Sequence, residues 1–177
     1  MPDPGDALVD IVDLDDNVVG VATRRQMRAE NLLHRSVGIA VIDSEDRVLI
    51  HRRAETKDVW PGRWDLAVGG VVDTGESWED AAARELAEEI GSHASPQEIG
   101  RGRFEDDAVR AIGRIYVARD DGPFEFVDGE VVEALFVTFD ELRERLTRDS
   151  FVPDSLAIVW PLLSGERGDA GGGPSTT

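Results

Sequence analysis

Three glutamates stand close together near the middle of the chain, at a spacing that suits metal chemistry. Glu85, Glu88 and Glu89 occupy positions i, i+3 and i+4, so in a helix their carboxylates share one face. Like charges at this spacing destabilise a helix unless a positive charge lies among them. A hard divalent cation that prefers oxygen ligands, Mg²⁺ or Mn²⁺, would supply that charge. The alternative is a solvated acidic face, which is common on helix surfaces.

The residues around these glutamates predict a helix that holds them in place. Ser77 suits an N-cap, Asp80 follows three residues later as in a capping box, and Gly91 suits a helix stop. Leu86 and Ile90 are four residues apart and give this helix an apolar stripe. The stripe would pack on a core and leave the carboxylates on another face.

A wider stretch around this helix resembles the Nudix box, written G-x5-E-x7-R-E-U-x-E-E-x-G-U with U an aliphatic residue. The chain departs from the pattern at its last position, where Ser92 replaces an aliphatic residue. That position packs rather than reacts, so the departure concerns strand packing. The matching positions are Gly70, Glu76, Arg84, Glu85, Leu86, Glu88, Glu89 and Gly91.

The resemblance implies a role for each polar residue of the box. Glu85 and Glu89 would be the main metal ligands, Glu88 would share the site or activate water, and the Gly70 carbonyl would be a further ligand. Glu76 and Arg84 would lie behind these ligands, with Arg84 pairing with a neighbouring carboxylate and fixing its orientation.

Many Nudix hydrolases carry one more glutamate downstream of the box, as a ligand or as a base. Glu130 and Glu133 compete for this role, and on a strand they would face opposite sides. We favour Glu130, and either residue could instead be an ordinary surface charge. The predicted catalytic residues are therefore Glu85, Glu88, Glu89, Arg84 and Glu130.

The chain before the box resembles the branch of the family that contains isopentenyl-diphosphate isomerase and its hydrolase relatives. Arg53 and Lys57 match positions that contact the diphosphate in that branch, so we expect both to bind substrate. The isomerase uses a cysteine at the stretch where this chain has residues 67–69, and the sequence contains no cysteine. This resemblance covers roughly residues 8–147, and it predicts a hydrolase with an isomerase-like frame.

The resemblance implies a Mg²⁺-dependent enzyme, with Mn²⁺ as an alternative metal, that hydrolyses a diphosphate linkage. The substrate would be a nucleoside di- or triphosphate or a related X-linked diphosphate, which makes the protein a pyrophosphatase. One alternative is a Nudix domain that binds a diphosphate without turnover, as a sensor. Isopentenyl-diphosphate isomerase is the other, and the missing cysteine disfavours it. Dimers are common in the family, so the resemblance allows a homodimer.

The overall charge limits the partners of this chain. A formal net charge of −18 argues against binding to nucleic acid polymers or anionic membranes. The sequence has no run of eighteen apolar residues, so it predicts no transmembrane helix. The first residues lack the apolar segment of a secretory signal, and cysteine is absent. We therefore expect a cytoplasmic protein.

The pattern of strands and helices predicts an α/β protein. Taken with the resemblance, it predicts the Nudix fold, an α/β/α sandwich around a mixed β-sheet. We expect a flexible leader over residues 1–7, one domain over 8–164 and a disordered tail over 165–177. His34 is predicted to be a packed or hydrogen-bonded residue rather than a ligand, and Trp60 and Trp64 to pack in the core or a loop.

Overall fold

The computed structural model describes residues 3–126 and 129–165. In this part of the chain, nine strands form one mixed sheet. The strands are β1 Leu8–Val12, β2 Val18–Thr23, β3 His34–Ile42, β4 Val48–Arg53, β5 Trp64–Asp65, β6 Val68–Val71, β7 Gln97–Glu105, β8 Arg110–Arg119 and β9 Val131–Val137.

The first three α-helices of the described residues begin at a capping side chain. Thr23, Ser77 and Thr138 each accept a hydrogen bond from the backbone three residues later. A 3-10 turn at Pro4–Asp6 comes first in the chain, and a π-helical turn at Ser155–Val159 leads into the last helix. The helices are α1 Arg24–Ala29, α2 Trp78–Ile90, α3 Phe139–Arg148 and α4 Trp160–Ser164.

Strand β3 is the centre of the sheet. It pairs with β8 in parallel along its whole length and with β6 in antiparallel fashion. Val37, Ile39 and Val41 alternate along β3 and pack with the apolar stripe of α2. On the opposite face, Ala40 packs in a second core with α3 and the C-terminal helical segment. Helices therefore cover both faces, which confirms the α/β class and the sandwich.

The apolar stretch before α2 is divided between two strands. Residues 64–72 form two short strands with different partners. β5 pairs with β4, whereas β6 pairs with β3. Asp65 caps the break between them, because its Oδ1 accepts hydrogen bonds from Leu66 N at 2.8 Å and Ala67 N at 3.3 Å.

The ends of the chain bear on the predicted leader and tail. Arg25 binds the carboxylates of Asp3 at 2.8 Å and Asp6 at 3.1 Å, so α1 holds the turn at the start of the described residues. Residues 166–177 of the predicted tail lie outside the described part. No described helix is long and apolar enough to cross a membrane.

Candidate active site

Helix α2 presents two buried carboxylates to a large cavity. Glu85 and Glu89 are 6% and 8% exposed, while Leu86 and Ile90 anchor the other side of the helix in the core. Glu88 is exposed, with 61% of its side-chain surface accessible. The structure therefore brings Glu85 and Glu89 together and leaves Glu88 at the edge of the site.

Arg84 fixes this arrangement through a fan of hydrogen bonds. Its Nε and one terminal nitrogen donate to the two oxygens of Glu76, at 2.8 and 3.0 Å. The other terminal nitrogen donates to Glu85 at 2.7 Å and to Glu88 at 3.2 Å. A further bond reaches the Val71 carbonyl at 3.1 Å. Arg84 thus links α2 to the end of β6, as the orienting role requires.

Glu76 is held in its charged form. Burial raises the pKa of its carboxyl, but hydrogen bonds from Arg84 and from the Asp73 N–H outweigh burial and lower it below the usual range. Glu76 therefore acts as a fixed anion that positions Arg84.

The two buried glutamates have the opposite electrostatic situation. Burial and the neighbouring Glu85 raise the pKa of Glu89 to about 8, against a smaller lowering effect of Lys57. Burial also raises the pKa of Glu85, although Arg84 opposes this. Two desolvated carboxylates with insufficient positive charge around them suit a bound cation.

Gly70 leaves room for this pair. A Cβ at Gly70 would lie 2.4 Å from the nearer oxygen of Glu85, so only glycine allows the carboxylate to lie against β6. Within the described residues, no three carboxylate or histidine side chains converge as a ready-made metal cluster. Of the two buried carboxylates, Glu85 forms an ion pair with Arg84. The buried pair and the Gly70 backbone still fit a hard divalent cation that takes oxygen ligands.

The predicted substrate-binding residues line the same cavity, whose volume is about 790 Å³. Lys57 forms an ion pair with Glu130. Arg53 donates to the Val59 carbonyl at 3.1 Å and lies 3.7 Å from Asp65, while its Nε is buried without a hydrogen bond among the described residues. Both cations therefore face the space in front of α2.

The structure separates the two downstream glutamates. Glu130 lines the cavity, and its carbonyl accepts a hydrogen bond from Ala54 N at 2.8 Å. Glu133 lies opposite Arg52 in the pairing of β9 with β4, and these two side chains form an ion pair of 3.4 Å. Glu130 is thus the one of the pair that lies near α2.

Three polar residues of the cavity were not predicted as site residues from the sequence. The Asp65 carboxylate accepts a hydrogen bond from the Ser155 hydroxyl, across 90 positions of sequence. Asp154 accepts from Ser155 N at 2.7 Å. Burial and the neighbouring Asp65 raise the pKa of Asp154 to about 7. For Asp154, the sequence offered one signal, its position directly after Pro153, which is typical of a helix start.

The aromatic and histidine side chains divide between cavity and core. Trp60 lines the cavity and contacts Phe104 edge-on, with 5.9 Å between ring centres. Trp64 lies under Arg145 and packs against the core on the α3 side. His34 is buried and hydrogen-bonded, as predicted, and it also lines the cavity.

Residues 67–69, where the resemblance to the isomerase branch predicts the position of its cysteine, have no reactive side chain. At Gly69, a Cβ would lie 2.0 Å from the Val37 carbonyl oxygen of the neighbouring strand. No side chain fits there without moving the backbone of β3 or β6. The frame around residues 67–69 is therefore incompatible with a nucleophile at Gly69.

Comparisons with known proteins identify the family of this chain. A family model described as the NUDIX domain matches residues 32–155. YfcD of Escherichia coli K12, named an uncharacterized Nudix hydrolase, is 41% identical over 152 residues, which cover 85% of this chain and 83% of that protein. SCO1686 of Streptomyces coelicolor, named likewise, is 40% identical over 171 residues, or 95% and 94% of the two chains. The chain belongs to the Nudix family and is a Nudix hydrolase.

Solved structures share the fold. DR0079 from Deinococcus radiodurans is 25% identical with a TM-score of 0.73, over 90% of this chain and 99% of that one. The NUDIX domain of Shewanella oneidensis NrtR, complexed with ADP ribose, is 18% identical with a TM-score of 0.59, over 82% and 99%; this likeness shows the fold alone. Nudix hydrolases generally use divalent metals and act on small molecules. The isomerase-like branch stays a prediction.

Proposed function

We propose that this Nudix hydrolase cleaves a diphosphate linkage in a nucleoside di- or triphosphate or a related X-linked diphosphate, with Mg²⁺ as its metal. The observation that carries the proposal is the buried pair of Glu85 and Glu89 against Gly70, at the end of a large cavity. Bound there, Mg²⁺ would offset phosphate charge and lower the pKa of water.

The chain's own residues would perform the other tasks. Glu85, Glu89 and the Gly70 carbonyl would hold the cation, and Arg84 keeps Glu85 in position. Water attacks one phosphorus, the bridging P–O bond breaks, and the leaving group departs as phosphate or a phosphate ester. The proton of the water passes to a carboxylate, for which Glu130 and Glu88 are the candidates.

Lys57 and Arg53 would bind the diphosphate. Lys57 pairs with Glu130, so a phosphate oxygen that binds Lys57 competes with this carboxylate. The exchange would separate Glu130 from Lys57 close to the reacting group. Arg53 brings a buried Nε without a partner among the described residues, which is a donor suited to an anionic oxygen.

The net charge of −18 supports a small substrate rather than a polymer or a membrane. It also requires local compensation, because an anion approaches the cavity against the field of the whole protein. We place the enzyme in the cytoplasm, where nucleotides and Mg²⁺ are available.

Glu89→Gln tests the metal assignment. Purified protein would be assayed for phosphate release from nucleoside di- and triphosphates, ADP-ribose, UDP-glucose and geranyl diphosphate, with Mg²⁺ or Mn²⁺. We expect Glu89→Gln to lower kcat more than about 100-fold, beyond the effect of losing a residue that only orients a ligand.

Glu133→Gln is the matched control, because Glu133 lies on β9 outside the cavity and pairs with Arg52. It should keep the wild-type rate. Equal activity of Glu89→Gln and wild type would show the metal assignment to be wrong. Binding without turnover of any compound would favour the sensor.

A further inference from the structure

The floor of the cavity beyond the carboxylates is formed by β3 and β8, and two of its residues are polar. Alternate residues of β3 face the cavity, while those between them pack against α2. Their partners on β8 are small or apolar, so open space remains above the floor. The pairs are His34 with Ala111, Ser36 with Gly113 and Gly38 with Ile115.

His34 presents a free lone pair to this space. Its Nδ1 lies 2.9 Å from the Leu32 carbonyl oxygen, and because a carbonyl only accepts, Nδ1 must carry the proton. Burial and the charges of Arg28 and Arg24 lower the pKa of His34, which favours the neutral ring. In a neutral imidazole with Nδ1 protonated, Nε2 is an acceptor. Nε2 makes no hydrogen bond with a described residue, although His34 is only 6% exposed.

Ser36 adds a second polar group on the same side of the strand. Its hydroxyl has no hydrogen-bond partner among the described residues. A Cβ at Gly113 would lie 3.6 Å from the Ser36 Oγ and 3.5 Å from Ile158, so glycine keeps the space beside this hydroxyl open. The side chains of i and i+2 are roughly 7 Å apart along a strand, a distance that one bound group can span.

Polar atoms that face a cavity without a protein partner pair with water or with a ligand, and a ligand group that replaces this water must reproduce its hydrogen bonds to avoid losing affinity. Mg²⁺ is not the natural partner of the His34 ring nitrogen, because this hard cation prefers oxygen ligands. A hydroxyl group is, because it can donate to Nε2 and exchange hydrogen bonds with the Ser36 hydroxyl. An apolar chain would leave both unpaired.

We propose that His34 and Ser36 form the subsite for the group beyond the diphosphate, and that this group bears hydroxyls, as a ribose or another sugar does. The inference rests on the proposed function, which places the diphosphate between α2, Arg53 and Lys57. It assigns the substrate to hydroxylated diphosphate esters and excludes prenyl diphosphates.

Binding of three analogues with an uncleavable P–C–P bridge tests this proposal. They are methylenediphosphonate, its adenosine ester and its geranyl ester, and Kd would be measured by calorimetry with Mg²⁺. The variants are His34→Phe, His34→Gln and Ser36→Ala. His93→Phe and Ser95→Ala are matched controls, because both residues are exposed.

We expect wild type to bind the adenosine ester about tenfold more tightly than the geranyl ester. His34→Phe and Ser36→Ala should each remove most of this preference and leave methylenediphosphonate unchanged. His34→Gln, which keeps an acceptor, should restore part of it. The control variants should behave as wild type.

Unchanged binding of the adenosine ester by Ser36→Ala and His34→Phe would overturn the proposal, as would equal wild-type affinity for the geranyl ester. If His34→Phe does not fold, Ser36→Ala alone decides. Because binding needs no turnover, the two proposals can fail separately. A preference for the hydroxylated ester without hydrolysis of any substrate would contradict the proposed function and support the subsite. Hydrolysis of all esters without such a preference would support the proposed function and contradict the subsite.

Discussion

At the scale of single residues, the site is built from carboxylates that burial has removed from water. Glu85 and Glu89 are desolvated next to each other, and Asp154 and Asp65 are a second such pair across the cavity. Arg53 is near Asp65, 3.7 Å away, and Arg84 compensates Glu85. The cavity therefore holds more carboxylates than cations, which suits a site that binds metal with an anionic substrate.

Asp154 should make the protein less stable as pH rises. Its folded-state pKa is about 7 and the ordinary value is 3.8, so between these pH values the folded state binds the extra proton. Stability then falls with rising pH, by up to about 4 kcal/mol across this window. Asp154→Asn keeps an N-cap side chain and removes the titration.

The melting temperatures of wild type and Asp154→Asn, measured at pH 5 and pH 8, check this expectation. The variant should be the more stable protein at pH 8, and the difference should shrink at pH 5. A difference that is the same at both pH values would show that Asp154 does not titrate in this range.

At the scale of elements, much of the fold could be predicted because its signals are local. Ser77, Thr138 and Gly91 mark helix ends by their own hydrogen bonds and backbone conformation. Strand partners are not local, so the sequence does not show that residues 64–72 divide between two strands with different partners. Asp65 and Ser155 form a hydrogen bond although they are 90 positions apart in sequence. No rule based on residue spacing could have predicted this contact.

The docking of α2 on β6 depends on Arg84, which binds Glu76 with two parallel hydrogen bonds and reaches Val71. A lysine keeps the charge but cannot make this two-pronged contact. We expect Arg84→Lys to lower kcat/KM by about 10- to 100-fold. We also expect it to raise the Mg²⁺ concentration needed for half-maximal activity, because Glu85 loses its orientation.

A Mg²⁺ titration of the hydrolysis rate separates this effect from general destabilisation. Arg101→Lys is a fair control, since Arg101 is exposed on β7. If Arg84→Lys reduced the rate with an unaltered Mg²⁺ requirement, Arg84 would not act through the metal ligands.

At the scale of the whole molecule, the charge of −18 and the buried carboxylates both favour cation binding, but in different ways. Any salt screens the repulsion among surface charges. A divalent cation that binds only the folded state adds stabilisation by mass action, about 2.7 kcal/mol at 100 times its Kd.

We therefore expect MgCl₂ to raise the melting temperature more than NaCl does at equal ionic strength, both compared with EDTA. A double variant, Glu85→Gln with Glu89→Gln, should respond equally to the two salts. An equal response in wild type would mean that Mg²⁺ acts only by screening, and the metal site would have to be abandoned.

Lysine occurs once in this sequence, and that Lys57 lies in the cavity beside Glu130. An amine-reactive reagent therefore finds one side-chain amine in the chain, and it is the one expected to bind the diphosphate. Acylation would change the mass of a single internal peptide, in proportion to how often the cavity is open. Protection of Lys57 from acylation would therefore report ligand binding in the cavity. Ligands can be ranked by this protection without an assay of turnover.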